Sequence, residues 1–401
     1  MQINFMVNVD VVIFGGGIAG LWTLARLTKQ GYNAILLETE ALGAGQTIKS
    51  QGIIHGGLKY ALSGQLNSAV TSLQDMPTVW QQCLDGNGEI DLSAVTVLAN
   101  GQYMWSADKL TGSIATLFAS NAMKSQVDSI PKPEWPAALQ QATIASKLYK
   151  LEEPVLDIHS LLTALTAQLE QRCIKIDSSN GFMLERSGNN DIKSVSIKTN
   201  NITTELTAQR YIFTAGAGNA SIISELQNVP AMQLRPLQMV LVKSANLMPV
   251  YGHCIGLGTT PRITVTTHTA HDHVPVWYLG GKIAEEGINR TSDEQIKFAK
   301  QELAALFPNI DLSNAEFASF YVDRAEAKQA NGSKPNSTTL FNSNNYITAW
   351  PTKLAFAPLL AQQILDQLQQ SGINPSHAAL PETIIELPHP KVATPIWDQL
   401  L

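Results

Sequence analysis

The stretch from Val9 to Glu38 constrains this chain more than any other. A short Val/Ile-rich run, Asp10-Val11-Val12-Ile13-Phe14, leads straight into Gly15-Gly16-Gly17-Ile18-Ala19-Gly20. An apolar run of that length, closed by glycines, suits a strand buried on both faces. Leu21, Leu24, Ala25 and Leu27 then recur at helical spacing, and Gly31 supplies the stop. A second apolar run, Ala34-Ile35-Leu36-Leu37, ends in Glu38. The pattern is a strand, a helix and a second strand.

Each glycine has a job in such a unit. Gly15 permits a tight turn out of the strand, Gly17 lets the backbone approach a pyrophosphate, and Gly20 lets helix and strand pack closely. The helix start at Ile18 and Ala19 offers N–H groups and a partial positive charge to phosphates. Glu38 is placed to accept hydrogen bonds from ribose hydroxyls. The bland alternative, an ordinary glycine-rich turn, does not call for the strand, the helix and the acid together.

A chain of 401 residues has room for two domains. A net charge of -6 supplies no basic field for collecting phosphates, which argues against nucleic acid as a partner. Cys83, Cys173 and Cys254 are far apart and odd in number, so neither a disulfide framework nor structural zinc is expected. No signal-like N-terminal segment and no apolar run of spanning length is seen, so a soluble, cytoplasmic protein is expected, with peripheral membrane contact left open.

Residues 40–60 are rich in glycine, hydroxyls and amides and too irregular for a regular element, so their backbone groups need another partner. A phosphate-containing cofactor is one such partner; a surface loop is the other reading, against which Ile53, Ile54 and Leu58 stand. On Gly15 to Gly20, Glu38 and the run Ile54-His55-Gly56-Gly57-Leu58-Lys59-Tyr60, the chain resembles the FAD-binding half of the D-amino-acid oxidase superfamily. Within it the His-Gly-Gly-Leu-basic-Tyr string is similar to flavin-dependent glycerol-3-phosphate dehydrogenases, and Gly52-Ile53-Ile54-His55 to L-2-hydroxyglutarate oxidases. The resemblance implies that Thr47 and Ser50 lie near the phosphate and ribityl chain, that Gln51, Gly52 and Gly56 belong to the segment lining the flavin, and that His55 lies near the isoalloxazine.

Further along, a helix is expected from Leu62 to about Leu84 and a hairpin from Ala94–Leu98 and Gly101–Trp105. A helix is expected at Lys109 to Asn121, before Pro131, Pro133 and Pro136 break regularity. Asp157 is a good N-cap for a helix to about Arg172. Short strands follow at 174–176, 181–185, 192–198 and 204–208, then Arg210 to Phe213 opening into Thr214-Ala215-Gly216. That last string is similar to the superfamily's second dinucleotide contact, which implies Ala215 and Gly216 as cofactor-binding. Runs at 235–242, 262–267 and 276–281 argue for an antiparallel sheet, with a helix at Ser292 to Leu306. His268, His271 and His273 read as a turn between strands; only Asp272 stands near as a fourth ligand, so no metal is expected.

Phe320 to Arg324 is expected to lead back to the cofactor domain. In the superfamily an arginine near this strand pairs with the substrate's carboxylate or phosphate, which makes Arg324 the candidate; a plain salt bridge to Asp323 or Glu326 is the alternative. Thr352-Lys353-Leu354 resembles the string that closes the flavin site in glycerol-3-phosphate dehydrogenases, although Trp350-Pro351 stands where glycines are usual and Ala355 where a threonine is usual. Lys353 at a helix start could stabilise negative charge on reduced flavin; the alternative is a solvated lysine. The tail from Asn374 reads as an extended strap.

The expectation is therefore an α/β chain: an FAD-binding Rossmann-like domain from residues 1–85, 155–230 and 320–401, and an antiparallel-sheet α+β substrate domain from 86–154 and 231–319. The expected activity is oxidation of a small anionic substrate at a hydroxyl-bearing carbon by hydride transfer to FAD, with His55, Arg324 and Lys353 as catalytic candidates and oxygen or a quinone as electron acceptor. His55 is a base, a positional residue or a covalent flavin tether; tethering through a cysteine near the C-terminus is excluded, Cys254 being the last. An amine or amino-acid oxidase and a non-catalytic FAD-binding protein are the rival readings. Nicotinamide is a weaker one, because it has no need of the second glycine-rich segment.

Overall fold

The computed structural model describes residues 4–56, 75–108, 127–145, 147–177, 181–189, 191–199, 202–224, 226, 230–256, 260–330 and 332–401. The backbone builds two large sheets. In the first, the order is Thr339–Ser343, Tyr346–Trp350, Ile202–Phe213, Asn4–Phe14, Ala34–Glu38 and Cys173–Lys175. All but the Thr339–Ser343 edge run parallel. Ile192–Thr199 and Phe182–Arg186 extend antiparallel from Ile202–Phe213.

Alternation places this parallel sheet between two apolar layers. Val11 and Ile13 face helices Ile18–Lys29, Ile158–Ala167 and Ala357–Gln370, while Val12 and Phe14 face the opposite cluster with Ile174, Val195 and Tyr346. A parallel sheet needs both faces covered. From Asn4–Phe14 the chain moves to Ala34–Glu38 on one side and later returns as Ile202–Phe213 on the other. The carboxyl ends at such a switch point open a crevice, the usual ligand position in sheets of this kind.

The second sheet has the order Glu316–Ala327, Met232–Lys243, Pro275–Gly280, Ile263–Thr269, Gly252–Cys254, Gln102–Trp105, Leu148–Leu151 and Val127–Ile130. Val240, Val265, Trp277 and Leu279 pack on helix Ser292–Leu306 through Ala299 and Leu303. That helix matches the expected range, and Thr291 with Glu294 forms a capping box at its start. Met239, Leu241 and Tyr278 point to the other face and meet Trp397.

Several expectations are corrected. Residues 94–105 form no hairpin: Val97–Ala99 pairs with Val155–Leu156, and Gln102–Trp105 lies between Leu148–Leu151 and Gly252–Cys254. Asn100-Gly101 looks like a hairpin turn, but Gly101 serves close approach, since a Cβ there would lie 2.5 Å from the Leu151 carbonyl oxygen. The strands expected at 204–208 and 210–213 are one strand, Ile202–Phe213, because pairing with Asn4–Phe14 runs through both. The helix capped by Asp157, whose carboxylate accepts from Ser160 N at 2.7 Å, stops at Ala167, and a 3-10 turn follows at Glu170–Arg172. Of the helix expected over 62–84, Met76–Leu84 is observed; residues 57–74, and the helix expected at 109–121, lie outside the described residues.

The return to the first layer, expected at residue 320, comes later. The strand Glu316–Ala327 pairs along its whole length with Met232–Lys243. The tail is a strap in part: Leu42 N donates to Lys391 O and Ala393 N to Leu42 O, but short helices form at Glu382–Ile385 and Trp397–Leu400.

Candidate functional site

At the end of Asn4–Phe14, Gly15 takes φ +100 and a Cβ on it would overlap Ala215 Cα. Only glycine adopts that backbone easily. A Cβ on Gly20 would overlap Gly15 O, so the helix sits against the strand end at a distance only glycine permits. Gly17 is the N-cap of Ile18–Lys29 and gives no side-chain cap; Thr47 Oγ1 accepts from Ile18 N at 3.0 Å instead. Glu38 Oε2 accepts from Gly16 N at 2.6 Å and its Oε1 from Glu40 N at 2.8 Å. The acid thus fastens the glycine turn to the end of the second strand.

Ala215 N donates to Asn219 Oδ1 at 2.8 Å, and Gly216 takes φ +57. Trp350 Nε1 donates to Gly216 O at 3.3 Å, which sets the end of strand Tyr346–Trp350 against this turn. Thr352 follows at φ +60, and Lys353 caps the 3-10 turn Leu354–Phe356 with its Nζ 5.5 Å from the Phe356 ring centre. Gly15, Gly17, Ile18, Ala19, Gly20, Glu38, Ala215, Gly216, Lys353 and Leu354 therefore all lie at the carboxyl ends of the parallel strands.

The segment after Glu38 ties this crevice to the second sheet. Tyr278 OH donates to Lys49 O at 2.6 Å, and Gln51 Nε2 donates to Tyr278 O at 2.8 Å. Gly280 makes room for that amide, since a Cβ there would lie 2.5 Å from Gln51 Oε1. Gly52, at φ +75, abuts Leu156 O. Ser50 Oγ is buried and has no hydrogen-bond partner among the described residues.

His55 meets a buried carboxylate. Glu153, 6 % exposed, accepts from Gly56 N at 2.6 Å through Oε1. Its Oε2 faces His55 Nδ1 at 3.3 Å and accepts from Gln102 Nε2. A carboxylate in its ionised form only accepts, so a neutral His55 ring facing it would carry its proton on Nδ1 and its lone pair on Nε2. The His55 ring also stacks on His253, with centroids 5.8 Å apart, and His253 Nδ1 lies 2.8 Å from Thr264 Oγ1. Glu153, Gln102 and His253 were not singled out in the sequence; a carboxylate immediately before the Pro154-Val155-Leu156 run was the faint signal.

Arg324 lies on the second sheet, directly across from Arg235. Its Nη1 stands 3.6 Å from Glu285 Oε1 and its Nε donates to Arg235 O at 3.4 Å. Burial first, then the neighbouring Arg235, holds its pKa below the usual guanidinium value. The simple pair with Asp323 or Glu326 is replaced by Glu285, because Glu326 is committed to Arg235. Ala325 N donates to Gln46 Oε1 at 3.0 Å, which fastens this strand to the glycine-rich segment. Arg235 and Glu285 also escaped the sequence reading; their pairing depends on strand register.

His268 corrects the turn expectation. It sits within Ile263–Thr269, wholly buried, with Nε2 3.0 Å from Thr266 Oγ1 and its ring stacked on Trp397 at 4.3 Å. Burial pushes its pKa down to about 3. His271 instead pairs with Asp398. Among the described residues no group of His, Cys, Asp and Glu could hold a metal ion.

Residues 10–335 match the family described as "FAD dependent oxidoreductase". The chain belongs to that family. It is 44% identical over 396 residues to "Probable FAD-dependent oxidoreductase PA4991" of Pseudomonas aeruginosa, covering 98% of each chain. The crystal structure of that relative superposes with a TM-score of 0.83 over 98% of both chains. Glycine oxidase from Geobacillus kaustophilus (14% identical, TM-score 0.65, 93% of this chain and 99% of that one) shares the fold. So does L-alpha-glycerophosphate oxidase from Mycoplasma pneumoniae with FAD bound (14%, TM-score 0.65, 91% and 95%). The chain is thus an FAD-dependent oxidoreductase with a Rossmann-like α/β fold. No described helix is long and apolar enough to cross a membrane.

Proposed function

We propose that this enzyme oxidises a small anionic substrate at a carbon bearing a hydroxyl, of 2-hydroxy-acid or glycerol-phosphate type. The cradle suits a dinucleotide. The glycine corner lets strand end and helix start approach as closely as a Cβ would forbid, and among the described residues the helix start is capped from Thr47 alone and Ser50 Oγ is a buried oxygen without a hydrogen-bond partner. Gly15, Gly17, Ile18, Ala19 and Gly20 would hold the pyrophosphate, Glu38 the ribose, and Thr47, Ser50, Gln51, Gly52, Gly56, Ala215, Gly216, Lys353 and Leu354 the rest of FAD. When bound, FAD accepts the hydride.

The His55–Glu153 pair is the observation that carries the hydroxyl reading. An alcohol must lose its O–H proton as the carbon is oxidised, and a neutral imidazole oriented by a buried carboxylate is suited to take it at Nε2. Arg324 would hold the substrate anion through its planar fork. Lys353 would set a positive charge beside the reacting centre. The solved relative named glycerophosphate oxidase fits a hydroxyl substrate, and the one named glycine oxidase fits the amine alternative.

The test is an anaerobic absorbance titration of the purified holoprotein with L-2-hydroxy acids, glycerol 3-phosphate, glycine and small secondary amines. Bleaching by a hydroxy compound, lost in His55→Ala with FAD retained, is expected. Bleaching by amines alone would replace the reading with the amine one. Reoxidation of the bleached enzyme by oxygen or by a soluble quinone then names the acceptor, and acid precipitation shows whether His55 tethers the flavin.

A further inference from the structure

Arg235 and Arg324 are held side by side, because directly opposite residues of an antiparallel pair share a face. Like charges so placed need compensation, and here it is uneven. Arg235 is gripped by Glu326, 1 % exposed, through Nε and through Nη2 at 3.1 Å, and Gln233 Nε2 adds a 2.9 Å bond to the same carboxylate. Arg324 has Glu285 at 3.6 Å, beyond the length of an N–H···O bond, and a long bond to Arg235 O. A guanidinium carries five N–H donors, so most of this fork is unspent among the described residues.

The two carboxylates also differ in what moving them would cost. Glu326 is sealed in, whereas the Glu285 side chain is 40 % exposed on the short helix Lys282–Glu286 and is held otherwise by Thr260 Oγ1 at 3.3 Å. A half-exposed carboxylate returns to water with little desolvation to undo.

We propose that Glu285 is a displaceable counter-ion: it covers Arg324 in the resting enzyme and gives way to the substrate's anion, so the site favours a carboxylate monoanion over a phosphate dianion. This rests on the reading of Arg324 as the anion anchor. Two arginines facing two carboxylates are balanced, and a monoanion taking the place of Glu285 keeps that balance. A dianion leaves one excess negative charge beside buried Glu326, which has no route to solvent. Within the proposed function, the 2-hydroxy-acid class is thereby favoured over the glycerol-phosphate class.

The experiment uses FAD-loaded wild type, Glu285→Gln, Arg324→Gln and, as a control on the same helix, Glu286→Gln, whose carboxylate pairs with Lys282. Acetate and inorganic phosphate are titrated at a pH well above the second ionisation of phosphate, so that it is the dianion, with perturbation of the visible flavin band and thermal shift as readouts. Wild type should prefer acetate. Glu285→Gln should bind acetate about three- to tenfold tighter and gain more for phosphate, as removal of a partly exposed competing charge implies. Glu286→Gln should match wild type, and Arg324→Gln should lose the response. Loss in Arg324→Gln with no gain in Glu285→Gln overturns the counter-ion proposal alone, as does an equal gain in Glu286→Gln. A wild-type response in Arg324→Gln overturns the anchor reading and the proposal with it.

Discussion

The two sides of the crevice are built by different means. On the first sheet the cradle is a matter of backbone: Gly15 at φ +100, Gly20 against the Gly15 carbonyl, and a helix N-terminus without a side-chain cap of its own. On and beside the second sheet the candidate reacting groups are side chains brought together from distant segments. His55 meets Glu153 across 98 positions, and Arg324 meets Arg235 across 89. Backbone shape is shared by anything that binds the same dinucleotide, whereas side-chain pairings can be exchanged without disturbing the frame. Kinship in fold therefore reaches the cofactor more readily than the substrate.

The largest effect should come from breaking the backbone side. Gly20→Ala places a methyl on the Gly15 carbonyl oxygen with no room to relax, which should cost about 3 kcal/mol or more and strip the protein of FAD. Gly45→Ala, where nothing lies within 4 Å of the added carbon, is the matched control. Urea midpoints and the flavin-to-protein absorbance ratio measure both. If Gly20→Ala kept its FAD, the close packing of helix on strand would not be what fixes the cradle.

Breaking the side-chain side should spare the cofactor and cost turnover. Glu153→Gln keeps an acceptor for Gly56 N but removes the charge that orients His55, and a loss of about 10- to 100-fold is expected, the size known for carboxylates that orient metal-bound histidines. Substrate kcat/KM should fall by that much while flavin content stays at the wild-type level. A fall in flavin content of the same size would merge the two regions into one.

This contrast also explains what could be read from the sequence. The strand, glycine turn, helix and second strand from Val9 to Glu38 are local, and each element follows from its immediate neighbours, so the unit was legible. The helix at Ser292–Leu306 was legible for the same reason, its capping box lying three residues apart. Register was not. Asn100-Gly101 carries a strong hairpin signal, yet the glycine is used to pass close to Leu151. Glu153, Arg235 and Glu285 look like ordinary surface charges until the strands are aligned. His268 was misread as a turn residue because strand Ile263–Thr269 runs on past the β-branched stretch that marks it.

A mid-sized effect tests the second sheet without touching the crevice. His268 is held neutral with its pKa near 3, against an ordinary 6.5. Below 6.5 the unfolded chain gains a proton that the folded chain refuses, so stability must fall as the pH drops through that window toward 3. One such proton is worth about 1.4 kcal/mol per pH unit, hence about 2 kcal/mol between pH 6.5 and about pH 5. His268→Gln should lose that part of the acid slope in urea midpoints measured across the window. Identical slopes in the two proteins would mean that the ring already accepts a proton in the fold.

The smallest effect probes one side chain within the cradle. Like Glu38, Thr47 brings a side-chain acceptor to a backbone N–H there: its Oγ1 accepts from Ile18 N at 3.0 Å across 29 positions, where Gly17 offers no cap. Thr47→Val keeps the shape and removes the acceptor, leaving an N–H of the first helical turn unpaired. The loss of a single cap costs about 1 kcal/mol. Thr47→Ser keeps the oxygen and should restore most of it. If FAD itself satisfies that N–H, the Val variant should be destabilised in the apoprotein and close to wild type when loaded, so thermal midpoints with and without FAD separate a purely structural cap from one shared with the cofactor. A Val variant as stable as wild type in both states would remove Thr47 from the cradle.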